Sequence, residues 1–228
     1  MNVEIWSDIA CPWCYIGKRR FEAALAAFEH RDAVTVTWRS FELDPDAPAE
    51  RPGERAEHLA RKYGISVKDA RAMEENMASV AASEGLEFRF AIARDGSMFD
   101  AHRVLHLAAA HDRQDAVKER LLRAHFAEGE LMSDHGVLTR LAVEAGLPED
   151  EVRDTLATDR FAAEVREDER VAASLGIRAV PFFVADRAFG ASGAQAPEVL
   201  GEMLRRAWAA RPAVAVVADG DACGVDGC

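Results

Sequence analysis

Four residues, Cys11-Pro12-Trp13-Cys14, constrain what this chain can become more than any other stretch. Before them, Val3-Glu4-Ile5-Trp6-Ser7 alternates and is rich in strand formers. After them, residues 15–25 repeat their apolar members at helical spacing. The two cysteines therefore sit where a strand ends and a helix begins. Pro12 suits that junction, because the first helical turn has no N–H bond to lose. Unpaired N–H groups and the helix dipole favour an anion there, which predicts a depressed pKa for Cys11. Cys14 lies about one turn further on, within reach of Cys11 for a disulfide. A Cys-x-x-Cys pair in this setting reads as redox chemistry. Half of a zinc site and two ordinary buried thiols are the competing readings.

Composition narrows the setting. The 228 residues are 49% hydrophobic and 30% charged, which suits one large domain or a domain carrying an insertion. No run approaches the ~18 apolar residues of a membrane span. The first residues show neither the basic nor the apolar region of a secretory signal, so the expected compartment is the cytoplasm. A net charge of -12 argues against nucleic acid or an anionic membrane as a main partner. The 4 cysteines, in two close pairs, fit redox or metal chemistry better than a secreted disulfide framework.

Along the chain, residues 33–41 alternate and are β-branched, predicting a second strand. Prolines at 45, 48 and 52 then break the pattern. Helical signals follow at 54–63, then from a capping box of Ser66 and Asp69 to about Gly85. Residues 86–90 read as a short extended connector. Further helices are predicted at 100–111, 115–129, 134–146, 148–158 and 160–175. Strand character returns at 179–184, with Asp186-Arg187 as a tight turn, 188–190 as the return strand and a last helix at 197–209. The outline is α/β: residues 1–48 and 177–210 form a small mixed sheet with its helices, and residues 49–176 form an all-helical insertion. Residues 211–228 make a glycine-rich, acidic tail that carries Cys223 and Cys228, a composition that favours mobility.

Cys11-Pro12-Trp13-Cys14 after a strand, together with Val180-Pro181-Phe182-Phe183 opening a late hairpin, resembles the DsbA family of thiol–disulfide oxidoreductases. Residues 7–18, Asp100-Ala101-His102-Arg103 and Ser192-Gly193-Ala194-Gln195 are similar to its FrnE-like branch. The resemblance covers the chain to about residue 208. It implies a thioredoxin-like mixed sheet with a large helical insertion, a cis Pro181 beside the dithiol, and a Val180 backbone that pairs with a bound partner's chain. It also implies that His102 faces the dithiol from its helix. One departure matters: Ser97-Met98 stands where relatives carry an Asn-Thr or Asn-Ser pair, which puts the polar contacts of that pair in doubt.

In the resulting scheme Cys11 is the attacking thiolate, Cys14 resolves the mixed disulfide, and Pro12 and Trp13 tune and enclose the pair. A thiol of pKa ~8.5 is only about a tenth ionised near pH 7.5, so a depressed value multiplies the reactive form. An oxidising dithiol near -120 mV would rest reduced against a cytosolic poise of roughly -280 mV and serve as a reductase or isomerase, or as an oxidase only under stress. The residues do not fix the potential, so the direction stays open. The substrates expected are protein or small-molecule disulfides, with glutathione as a candidate co-substrate. No metal or other cofactor is expected. Cys223 and Cys228 form a candidate redox relay, since the ~13 residues before Cys223 extend about 40 Å. Zinc bound by all four cysteines is the sharpest competitor. His102 and His106 share a helix face but lack the Glu of a metalloprotease motif. Ser192, Gly193 and Gln195 are candidate ligand-binding residues through backbone N–H groups. Phe21, Trp38, Phe41, Phe126 and Phe161 are candidate core residues. Two other functions fit the architecture: a glutathione-dependent isomerase or transferase of the kappa-like group, whose members usually have Ser at the Cys11 position, and a non-catalytic binding or chaperone module.

Overall fold

A computed structural model of the chain describes residues 1–211; residues 212–228 of the predicted tail, with Cys223 and Cys228, lie outside the described residues. Strand β1 (Asn2–Ser7) runs parallel to β2 (Thr35–Ser40) and antiparallel to β3 (Phe182–Ala185), which pairs with β4 (Phe189–Ser192). The order is β2-β1-β3-β4. β1 lies inside the sheet, and its alternation sorts two cores. Val3 and Ile5 join Phe21, Phe183 and Leu200, while Trp6 on the opposite face joins Cys11, Cys14 and Ala172.

Helix α1 (Pro12–Ala26) has Pro12 in its first turn, as the sequence predicts. It packs on α9 (Pro197–Ala209), and Phe21 stacks on Phe183 at 5.5 Å. Gly17 lets α1 approach the Pro181 loop, since a Cβ there would stand 2.8 Å from Pro181 Cγ. The predicted turn at Asp186-Arg187 carries left-handed φ values of 46° and 52° and opens a three-residue loop, since Ala185 pairs with Phe189. Asp186 accepts from the Asn2 N–H at 2.7 Å and Arg187 reaches Glu4 at 2.8 Å, which ties the turn to β1.

Between β2 and β3 lie α2 (Arg55–Tyr63), α3 (Val67–Ser83), α4 (Phe99–Ala110), α5 (Gln114–Arg123), α6 (His135–Glu144), α7 (Glu149–Ala157) and α8 (Ala162–Ser174). Ser66 caps α3, accepting from the Asp69 N–H at 3.1 Å. Two expectations change. The helix predicted at 115–129 leaves α geometry after Arg123 and finishes as a π-turn over Ala124–Glu128, closed by left-handed Gly129. The widened turn sets Phe126 against Phe88, with ring centres 4.5 Å apart, while its carbonyl takes the Arg89 N–H. The helix predicted from 160 begins at Ala162, because Phe161 is left-handed with φ 65°. Of the candidate core aromatics, Phe21, Trp38 and Phe126 are buried, whereas Phe41 and Phe161 are only partly so. The insert's core includes Ile9, Tyr15 and Ile16, so the start of α1 belongs to both halves. Among the described residues no helix is long and apolar enough to cross a membrane.

Candidate active site

Cys11 is the N-cap of α1, with extended backbone and no side-chain cap. Both cysteines are free thiols, Cys11 5% and Cys14 1% exposed. The peptide bond between Val180 and Pro181 is cis, as expected, and the Cys11 thiol points at the Val180 carbonyl oxygen at 3.6 Å. The loop that carries Pro181 is braced from behind. Gly193 N–H donates to the Pro181 carbonyl at 2.8 Å, and Gln195 folds its N–H onto Gly193 and its side chain onto Ser192. The N–H groups of Gly193 and Gln195 are thus engaged within the loop itself, and the stretch braces the proline.

Cys11 is pushed below an ordinary thiol, but the helix start is not the leading reason. A hydrogen bond from the Cys14 thiol comes first; burial opposes it, and the N–H groups of Cys14 and Trp13 add to it. Cys14 moves the other way. Burial, then its bond to Cys11, drive it well above the ordinary range, with only Lys118 and the Asp8 backbone in opposition. The pair is therefore split into one reactive and one reluctant thiol.

Asp8, on the turn between β1 and α1, is fully enclosed. Its carboxylate accepts from Leu43 N–H at 2.8 Å and Ala10 N–H at 3.2 Å, and lies 3.4 Å from His102 Nε2. Burial pushes Asp8 up, yet these donors hold it below the usual carboxylate range. Burial pushes His102 down, so a neutral imidazole donating through Nε2 is the species that fits the anion. His102 thus faces the dithiol region from α4, as the resemblance implies, through Asp8. His106 turns elsewhere, to Ser40 Oγ at 3.1 Å and Asp168 at 3.2 Å. Among the described residues no three His, Cys, Asp or Glu side chains converge on a metal position.

In front of Cys11, Pro12 and Trp13 opens a cleft of about 360 Å³. Leu43, Tyr63, Met73 and Met98 give it apolar walls; Lys62 and Arg51 bring positive charge and Asp44, Glu74 and Asp95 negative, with Arg51 bound to Asp44 at 2.6 Å. Met98, from the pair that departs from the family pattern, contributes a buried thioether where a polar contact was in doubt. Trp13 is 41% exposed at the mouth. Sequence reasoning missed three buried groups: Asp8 and Lys118, which act on the thiols, and Glu42, on which Asp8 acts in turn.

The family model for a DSBA-like thioredoxin domain matches residues 2–205. The chain belongs to the DsbA-like thioredoxin family. A crystal structure of a probable DsbA oxidoreductase from Streptomyces coelicolor is 50% identical, covers 100% of this chain and 98% of its own, and superposes with a TM-score of 0.90. The uncharacterized protein YwbO of Bacillus subtilis is 25% identical over 196 residues, 81% of this chain and 86% of that protein. The cytosolic disulfide reductase DsbM of Pseudomonas aeruginosa, in a structure with GSH, shares the fold at 18% identity and a TM-score of 0.63, over 92% of this chain and 100% of its own. As a DsbA-family member the protein is a thiol–disulfide oxidoreductase, and its dithiol occupies the strand–helix junction beside the cis proline.

Proposed function

We propose that the protein is a cytoplasmic disulfide reductase or isomerase working through Cys11 and Cys14. The observation that carries this reading is the split of the dithiol: a lowered Cys11 at the cleft and a raised Cys14 behind it. The Cys11 thiolate attacks one sulfur of a substrate disulfide, forming a Cys11–substrate bond and expelling the other sulfur as a thiolate. Cys14 then attacks Cys11 Sγ, closing the Cys11–Cys14 disulfide and releasing the second substrate thiolate. The substrate gains two electrons and the dithiol loses them. A pair of external thiols, with glutathione as the candidate, returns the enzyme to the dithiol. DsbM, a fold relative, has been crystallised with GSH. Cys223 and Cys228 serve in this scheme as a second pair that relays electrons to the first.

Insulin reduction and refolding of scrambled ribonuclease test the reading. Wild-type turnover is expected in at least one assay, with Cys11→Ser at the background rate; equal rates would remove the proposal. Replacing Cys223 and Cys228 with serine is expected to slow the multiple-turnover rate and leave the first turnover intact. Alkylation of Cys11 should titrate below the ~8.5 of an unperturbed thiol, and a midpoint at or above that value would exclude the thiolate mechanism.

A further inference from the structure

Two lysines are buried in this protein, Lys18 and Lys118, each 1% exposed. Lysine is almost never fully enclosed without a partner. Lys18 obeys the rule, with Glu22, Asp115 and Glu119 all within ion-pair distance. Lys118 does not. Among the described residues its Nζ has no hydrogen-bond partner, and it lies over the Trp38 ring at 5.6 Å. Of the ionisable groups that act on it, Cys14 comes first, followed by Asp8 and Cys11, with Lys18 opposing. His102, from α4, feels the same charge. Lys118 thus lies over Trp38 of β2, and the charges that reach it are those of Cys11, Cys14 and Lys18 from the start of α1, Asp8 from the turn before it and His102 from α4.

We propose that Lys118 is the counter-charge of the buried Cys14 thiolate and so sets the rate of the step in which Cys14 resolves the mixed disulfide. The inference rests on the dithiol mechanism above and assigns α5 of the insert a part in it. Cys14 loses its proton to solvent and attacks Cys11 Sγ; the Cys11–substrate bond breaks, and the departing thiolate takes a proton back. Lys118 is unchanged by the cycle. It acts on Cys14 through space, as a positioning residue, by lowering the cost of a negative sulfur in a site whose burial opposes one. The same burial that burdens Cys14 weakens the ammonium, pushing Lys118 down to about 8. Its help is therefore full below that pH and fades as pH rises through it.

The reaction of the reduced enzyme with Ellman's disulfide separates the steps, because attack by Cys11 and resolution by Cys14 each release one coloured thiolate. In Lys118→Met the first release is expected to stay within about twofold, and the second to slow by about tenfold at pH 7, the scale of one charge acting at several ångströms in a protein interior. The deficit should shrink toward pH 9, and Lys118→Arg should restore the second release. A second release as fast as wild type, or a deficit that does not change with pH, overturns the proposal. So does an equal slowing of both releases, which marks a structural role. Loss of the first release in the wild-type protein would instead refute the dithiol mechanism itself.

Discussion

The sheet half and the helical insert differ in how they use buried charge. The sheet half buries Glu4, Asp8, Lys18 and Glu42 and partners three of them itself: Glu4 with Arg39 and Arg187, Lys18 with Glu22, and Asp8 with the Leu43 and Ala10 N–H groups. The insert adds a second set of partners: His102 for Asp8, Asp115 and Glu119 for Lys18, Asp168 for the half-buried Arg39, and Arg166 for Glu42, which has no ion-pair partner in the sheet half among the described residues. Asp168 also accepts the Ser40 N–H at 2.9 Å, so a carboxylate on α8 fixes the end of β2. The insert therefore reaches the dithiol through two groups, His102 holding Asp8 and Lys118 acting on Cys14. An insert attached only through apolar packing could be lost with little effect on the thiols; this one adds a charge to those that act on them.

Truncation in the insert core is the strongest challenge to that shared organisation. Leu121→Ala removes a fully buried side chain and is expected to cost about 2–5 kcal/mol. Urea unfolding followed by tryptophan fluorescence, which reads Trp6 and Trp38 of the sheet half, should shift as one transition together with far-UV circular dichroism. Separate transitions would show that the halves are energetically independent. Next in size is Gly17→Ala. Its methyl would press on Pro181, and overpacking at such a contact costs about 1–3 kcal/mol. Unlike Leu121→Ala, it should also slow the attack of Cys11, because the proline loop moves with it; an unchanged attack rate would detach that loop from the chemistry.

The smallest effect concerns Glu42, whose carboxyl burial pushes up to about 7 while the bond from Arg166 at 2.6 Å resists. One of its oxygens is buried without a partner. With a folded pKa above the unfolded 4.5, the protonated form is favoured by folding. The contribution is complete below about 4.5 and is lost as pH rises through about 7. Glu42→Gln should therefore gain stability relative to wild type between pH 5 and 8, by a few tenths to about 1 kcal/mol given the opposing ion pair. Denaturation midpoints at the two pH values measure it, and a relative loss would reverse the assigned sign.

Cys11-Pro12-Trp13-Cys14 at a strand–helix junction, the proline loop at 180–181, the hairpin turn and the long run of helices were all readable from residue order. Each depends on periodicity or on neighbours within a few positions, and the thioredoxin-like arrangement followed from the resemblance they carry. The reason for the lowered Cys11 was only half readable: the helix start contributes, but the leading donor is the Cys14 thiol. The π-turn at 124–128 escaped because the contact it serves, the stack of Phe126 on Phe88, joins residues 38 apart in sequence. Asp8 with His102 and Lys118 with Cys14 escaped for the same reason. The partners in the first pair are 94 positions apart, and no local pattern marks either pair. Residue order specifies where the dithiol stands; the packed chain sets the charges around it, because burial and distance exist only once the insert has closed over the sheet.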